Sequence, residues 1–446
     1  MNSAQAFAGS LAERSADVLD ACTRCGRCVE VCPMVEPAGL DASKARGIVS
    51  GVLELLAGGE GTQGAATWAN VCTGSGYCIP ACNDGVNPRF MLGLARTAVR
   101  RREGSEPARR DGSRVFSGMS RGVRVLSRLQ LPPDLLAKIN PRPRRGDGRE
   151  EPPDVVFYTG CNVLRTPHIA LLCLDVLDRL GVRYQVMGGP SHCCGIFQYR
   201  AGDIEGAGRV GFNTIERLGG AGTGEVLSWC PSCQTQLGEV TIPTFADVNG
   251  AEPFGLTPYI EYLASRLDRL APFMTRPVER RVALHERPVL PGVVDAARRI
   301  LRAIPGLTLV ELEVPRVGTM SNSLSVLPRF KAELRDREFA AAEAEGVDTL
   351  ATIFHACHRE ICHYESGRSF EILNFMELVG ESLGFRHEDV YKRLKLMQDV
   401  DAIVRDTADL AEHHGLDLDD VRDVIFTDML SGQSVGVVPV TEDRRL

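Results

Sequence analysis

The chain has 446 residues, of which 44% are hydrophobic and 6% aromatic, and a formal net charge of −7. That length allows about two to four domains with real cores. The acidic balance argues against a dedicated nucleic-acid binder, and the shortage of aromatics against base-stacking platforms. Met1 to Arg14 lacks the basic start and apolar run of a signal peptide, and no window reaches the ~18 apolar residues of a transmembrane helix. A cytoplasmic location is expected. Fifteen cysteines are many, and in such a chain clustered cysteine points to metal rather than to a disulfide scaffold. All but Cys173, Cys357 and Cys362 fall into three tight groups.

Residues 1–98 read as a small helical ferredoxin domain. Cys22, Cys25 and Cys28, then Cys32-Pro33, follow the bacterial ferredoxin run. This spacing wraps three thiolates around one face of a cubane, and the proline turns the chain away. Zinc is the alternative, but it takes four ligands, usually as two separated pairs. Cys72, Cys78 and Cys82 repeat the frame, with Ser75 where another cysteine would stand. In two-cluster ferredoxins the last cysteine of each run serves the other cluster. On that rule Cys22, Cys25, Cys28 and Cys82 hold a 4Fe-4S cluster, while Cys32, Cys72 and Cys78 hold a second one. Serine is a poor ligand for iron at neutral pH, so a 3Fe-4S cluster leads; a four-iron cluster with Ser75 or water on the fourth iron stays open. The Cys72–Cys82 run resembles the three-iron site of succinate dehydrogenase iron–sulfur subunits. Lys44 to Leu56 and residues 88–102 have helical spacing.

Residues 99–152 are expected to form a linker. Positions 99–150 carry 14 Lys/Arg against 6 Asp/Glu. A modestly amphipathic stretch, Val115 to Leu131, fits a covering helix on a solvated linker; a docking strip for an acidic partner or an anionic membrane is the sharper reading.

Residues 153–275 change period. Asp154–Thr159, Tyr184–Met187 and Glu225–Trp229 read as strands, and Pro167–Leu180 and Gly206–Leu218 as helices, which predicts a parallel α/β layer. Cys161, the Cys193–Cys194 pair and Cys230, with Cys233 three residues on, come just after the strands. Sites in such sheets form at the carboxyl ends of strands, so these five cysteines can converge on one multi-iron cluster. Cys173 lies mid-helix on the apolar side, as a buried small hydrophobe. His192 precedes the pair and either donates a proton there or caps the loop.

Tyr-x-Gly-Cys, Cys-Cys-Gly and Cys-Pro-x-Cys together resemble the signature of the CCG-domain family, which includes heterodisulfide reductase catalytic subunits and glycolate-oxidase iron–sulfur subunits. A two-run ferredoxin followed by CCG domains is similar to the D-type subunits of heterodisulfide reductase, over residues 15 to about 380. The resemblance implies α/β architecture with an N-terminal helical ferredoxin domain and two CCG-type halves. It also implies a noncubane 4Fe-4S cluster on Cys161, Cys193, Cys194, Cys230 and Cys233.

Residues 276–380 read as a degenerate second half. Val282–His285 echoes the start of the repeat, but Val289 falls where a cysteine is expected. Ser321-Asn322-Ser323 replaces Cys-Cys-Gly. Thr349–Phe354 is strand-like and leads to Cys357, the one position that keeps a ligand-type residue. This half is expected to wall the first site. His355, Cys357, His358, Cys362 and His363 crowd together, either as a zinc or haem contact or as a helix start with surface imidazoles. Residues 381–446 read as a helical tail with an acidic run from Asp417 to Asp423.

The function expected is an iron–sulfur oxidoreductase subunit that reduces or forms a disulfide, fed through the ferredoxin clusters. The alternative is a relay subunit of a flavin dehydrogenase that passes electrons to quinone. Either implies a flavoprotein or a membrane quinone or cytochrome subunit as partner, with the chain peripheral at the inner membrane face. A thiol or disulfide substrate belongs to the first reading only.

Overall fold

A computed structural model describes residues 3–141, 152–288 and 290–431. The N-terminal unit is helical: α1 (Ser3–Ala21), α2 (Ala45–Leu56), α3 (Gln63–Val71) and α4 (Pro88–Arg101). Helix α2 forms because Ile48, Val49, Val52, Leu53 and Leu55 line one buried face. The Thr62 side chain starts α3 by accepting from the Ala65 N–H. Asn87 caps α4 in the same way, and Pro88 fits its first helical position. These helices bury Trp68, Phe90 and Met91 among the cysteines.

The basic segment is not a solvated linker. It forms α5 (Ser105–Arg128), with Met119, Val123, Val125 and Leu126 buried. Arg121 pairs with Asp420 and Asp423, and Arg124 with Asp420, so the acidic run of the tail neutralises part of the strip. Arg142 to Arg145 lie outside the described residues.

Two α/β halves come next. The first runs β1 (Val155–Gly160), α6 (Pro167–Arg179), β2 (Tyr184–Gly188), α7 (Ile196–Ala201), α8 (Ile204–Gly219), β3 (Glu225–Ser228), α9 (Pro231–Thr235) and β4 (Gly255–Pro258). All its strand pairs are parallel, in the order β2-β1-β3-β4. Every residue of β1 is buried, as a central parallel strand requires. The second half runs β5 (Arg281–His285), α10 (Val293–Arg302), β6 (Thr308–Val310), α11 (Pro328–Ala344), β7 (Thr349–Thr352), α12 (His355–Ile361), β8 (Glu371–Asn374) and α13 (Phe375–Leu383). Its parallel order, β6-β5-β7-β8, repeats the first. The tail adds α14 (Val390–Met397) and α15 (Leu418–Val424) among other short helices.

One core joins the halves: Ile169, Leu172 and Val176 of α6 share it with Leu284, Ile300, Leu378 and Val379. The helical unit is clamped on the first half. Phe7 of α1 meets Phe212 of α8 edge-on at 5.5 Å. Arg14 donates to the carbonyls of Glu239 (2.7 Å) and Val240 (3.1 Å), and Arg89 of α4 is ion-paired with Glu239. Among the described residues no helix is long and apolar enough to cross a membrane.

Candidate metal centres

The strand ends of the first sheet bring Cys161, Cys193, Cys194, Cys230 and Cys233 together, all buried. Cys161 and Cys193, Cys193 and Cys194, Cys194 and Cys233, and Cys233 and Cys230 are neighbouring, interacting thiol pairs. The backbone is shaped for this crowding. Gly160 has φ +66°, and a Cβ there would stand 3.1 Å from the Cys233 sulfur. Gly195 has φ +84°, and its Cβ would stand 2.8 Å from the Ala207 carbonyl oxygen. Only glycine suits both. Tyr158 donates to the His192 carbonyl at 2.7 Å, and Thr214 to the Cys193 carbonyl at 2.7 Å. These two bonds fix the Cys193–Cys194 loop from both sides. Cys193 and Cys233 beside it lower the pKa of Cys194, and Cys233 does the same for Cys230.

His192 points its Nδ1 at the Gly188 carbonyl oxygen, 2.8 Å away, and at Ser191 Oγ, 3.1 Å away. These are loop-holding contacts. The imidazole that reaches the sulfurs is His355, from the second half, which is hydrogen-bonded to Cys230. The expectation of surface imidazoles fails for His355 and His358, which are 1% and 0% exposed. Burial, partly offset by the Cys230 hydrogen bond, lowers the pKa of His355.

Cys22, Cys25, Cys28 and Cys82 line one small cavity of the helical unit. Cys32, Cys72 and Cys78 line another, with Ser75 in its wall. The Trp68 indole N–H approaches the Cys32 sulfur at 3.3 Å. Burial, with Cys22 and Cys25 nearby, pushes the Cys28 thiol up to about 12. Crowded thiols of this kind are relieved when a metal displaces their protons.

A further cavity, of about 100 Å³, is lined by Cys72, Arg96, Arg200, Ser232 and Thr319 and lies between this group and the five-cysteine site. The half-buried Arg200 stands here. Burial and Arg96 pull its pKa down to about 10, against the opposing influence of Cys194, Cys72 and Cys230. The sulfurs of both groups thus lie within its electrostatic reach.

These residues fit iron–sulfur groups. All fifteen cysteines are free. The five-sulfur set exceeds the four ligands a lone zinc takes, and soft thiolates with buried cations suit an anionic iron–sulfur core.

Among the described residues, the second half has no such set at its strand ends. Val289 lies outside the described residues. Helices α9 and α12 begin after N-cap residues Cys230 and Phe354, so Cys357 occupies the place of Cys233, and Phe354 that of Cys230. Cys357 is hydrogen-bonded to His285 and accepts from the Ser321 N–H at 3.4 Å. His285 Nε2 lies 2.7 Å from Ser321 Oγ, and its Nδ1 lies 2.7 Å from Glu338 Oε2. Arg287 closes the network on Glu338 at 3.4 Å. His358 and Cys362 do not share a site: His358 turns to Asp389, while Cys362 packs into an apolar cluster.

Two family models match parts of the chain. Residues 18–86 match the 4Fe-4S dicluster domain, and residues 155–238 match the cysteine-rich CCG domain. The chain is thus a CCG-domain iron–sulfur protein of the oxidoreductase class. Across most of its length it is similar to the D-type subunit of dihydromethanophenazine:CoB–CoM heterodisulfide reductase from Methanosarcina mazei, with 24% identity over 417 residues, 82% of this chain and 94% of the relative. The B-type subunit of fumarate reductase (CoM/CoB) from Methanothermobacter marburgensis is 26% identical over 385 residues, 81% of this chain and 72% of the relative. The glycolate oxidase iron–sulfur subunit of Escherichia coli is 27% identical over 200 residues, 41% of this chain and 48% of the relative. No solved structure matches.

Proposed function

We propose that this chain reduces or forms a disulfide at a noncubane 4Fe-4S cluster held by Cys161, Cys193, Cys194, Cys230 and Cys233. Cys22, Cys25, Cys28 and Cys82 would hold a 4Fe-4S cluster, and Cys32, Cys72 and Cys78 a 3Fe-4S cluster, which together would supply the electrons. The observation that carries the reading is the convergence of five buried sulfurs beside a ferredoxin-type sulfur group, with Arg200 between them. When bound, such clusters supply one-electron transfer and an iron able to take a substrate thiolate. Reductive cleavage consumes two electrons and two protons per disulfide and yields two thiols.

The chain's own residues supply position, charge and a proton. Tyr158 and Thr214 lock the cysteine loop. Arg200 offsets negative charge between the two sulfur groups. His355 is a buried proton carrier at the sulfurs, its ring interacting with Cys230; it replaces His192 in that role. Partners on this reading are a flavoprotein or a membrane quinone or cytochrome subunit, which would hold the chain peripherally at the inner membrane face.

A relay role within a flavin dehydrogenase is the second reading, favoured by the likeness to the glycolate oxidase protein. Anaerobically purified protein separates the two. Disulfide turnover with reduced viologen, and a cluster EPR spectrum altered by added thiol, are expected. Absence of both, with a flavoprotein copurifying, would overturn disulfide chemistry in favour of the relay.

A further inference from the structure

Outside the cysteine sites, four metal-ligating side chains meet where the two halves join the tail. His168 stands in the first turn of α6 and His358 in α12; Glu377 is in α13 and Asp389 caps α14. One ligand atom from each lies within 4.8 Å of the other three. His168 Nδ1 is 3.4 Å from Asp389 Oδ1, and its Nε2 is 3.8 Å from Glu377 Oε2. His358 Nε2 is 2.5 Å from Asp389 Oδ2, and the two imidazole centroids are 5.7 Å apart.

The group is not a finished hydrogen-bond network. His168 is 1% exposed, yet its ring nitrogens reach the carboxylates only at 3.4 and 3.8 Å, beyond good hydrogen-bond geometry, and His358 Nδ1 is unpartnered. An unmade bond of a buried polar group is a standing cost that a bound cation would remove. Nearby cations do not resolve this: the Lys392 ammonium is engaged by Glu365 at 3.2 Å and by the Ile372 carbonyl at 3.1 Å. The carboxylates, by contrast, are held from behind, as metal-ligating carboxylates usually are. Asp389 Oδ1 accepts the Lys392 N–H at 3.0 Å, and Glu377 Oε2 accepts the Asn374 N–H at 2.6 Å.

Glu377 and Asp389 also line a cleft of about 1120 Å³, which gives an ion a route in from solvent. Two imidazoles and two carboxylates suit zinc, whose ligand bonds of about 2.0–2.1 Å place neighbouring ligand atoms roughly 3.3 Å apart in a tetrahedron. The four ligand atoms lie within 4.8 Å of one another, so adjustment of the side chains is needed to reach that spacing.

We propose that His168, His358, Asp389 and Glu377 bind one divalent zinc-class ion through nitrogen and oxygen alone. The ion ties the first α/β half to the second half and the tail, and it is separate from every cysteine site.

The test uses the full chain with its iron in place, given equimolar zinc chloride and desalted. One retained zinc per chain is expected, with an X-ray absorption first shell of nitrogen and oxygen at about 2.0 Å and no sulfur at about 2.3 Å. No retained zinc, or a sulfur shell, overturns the proposal. His168→Gln and Asp389→Asn should each lose the zinc and keep the iron; zinc retained by either folded variant also overturns it. Should a variant fail to fold, the wild-type absorption measurement decides alone.

Discussion

The two α/β halves share one sheet order and differ in the residues that end their strands. In the first, the carboxyl ends lead into Cys161, Cys193–Cys194 and Cys230, and five sulfurs face one another. In the second they lead into Arg287, Ser321 and Phe354, and only Cys357 brings sulfur among the described residues. The space is closed by a network of His285, Ser321, Glu338 and Arg287. A parallel sheet gathers whatever side chains end its strands; the chemistry is set by which ones they are.

Cys233 and Cys357 occupy matching positions, so substituting each is the sharpest way to break this comparison. Cys233→Ala should lose about four irons per chain, measured as iron and sulfide content. Cys357→Ala should lose none; equal iron loss from both would mean the second half still holds a cluster. Next in size, Glu338→Gln should destabilise the fold by about 3–5 kcal/mol in denaturant titration, because it leaves the buried His285–Arg287 pair without its counter-charge. Cys357→Ala itself should cost about 1–3 kcal/mol, through the partners it abandons at Ser321 and His285.

A smaller effect comes from pH. Burial and Arg287 disfavour the charged form of His285, but Glu338 and Cys357 outweigh them and its pKa is raised. Its contribution to stability is therefore complete below its unfolded value, about 6.5, and is lost as pH rises through the folded value. The denaturation midpoint should fall on that rise, and fall less in His285→Asn. The least disruptive change is Ser75→Cys, which should leave stability alone and abolish the near-isotropic EPR signal of an oxidised three-iron cluster. Wild-type protein without that signal would point to four irons at the site.

Much of this is legible from spacing. Cysteines at intervals of three mark a ferredoxin run, and a glycine ahead of Cys161 marks a strand end, because both patterns are local. Two of the edge strands are not: β4 is bounded by Gly255 and Pro258, and β6 has three residues, too few for a period. His355 escapes a local reading because its partner, Cys230, lies 125 residues away. A usable signal exists, since His355 stands at the first turn of the helix after β7, where Pro231 stands after β3. From sequence, His168 is simply part of an apolar helix, and the tail is chemically silent, although Asp389 belongs to it. Only the packing of α6 against α12 to α14 brings these groups together.

Helix α1 lies along α8, with Arg14 gripping the Glu239 and Val240 carbonyls, so the ferredoxin unit is bolted to its neighbour rather than tethered. On the proposed function, electrons would cross a fixed distance. Solvent viscosity, which slows a swinging carrier, should leave this protein's internal transfer rate untouched.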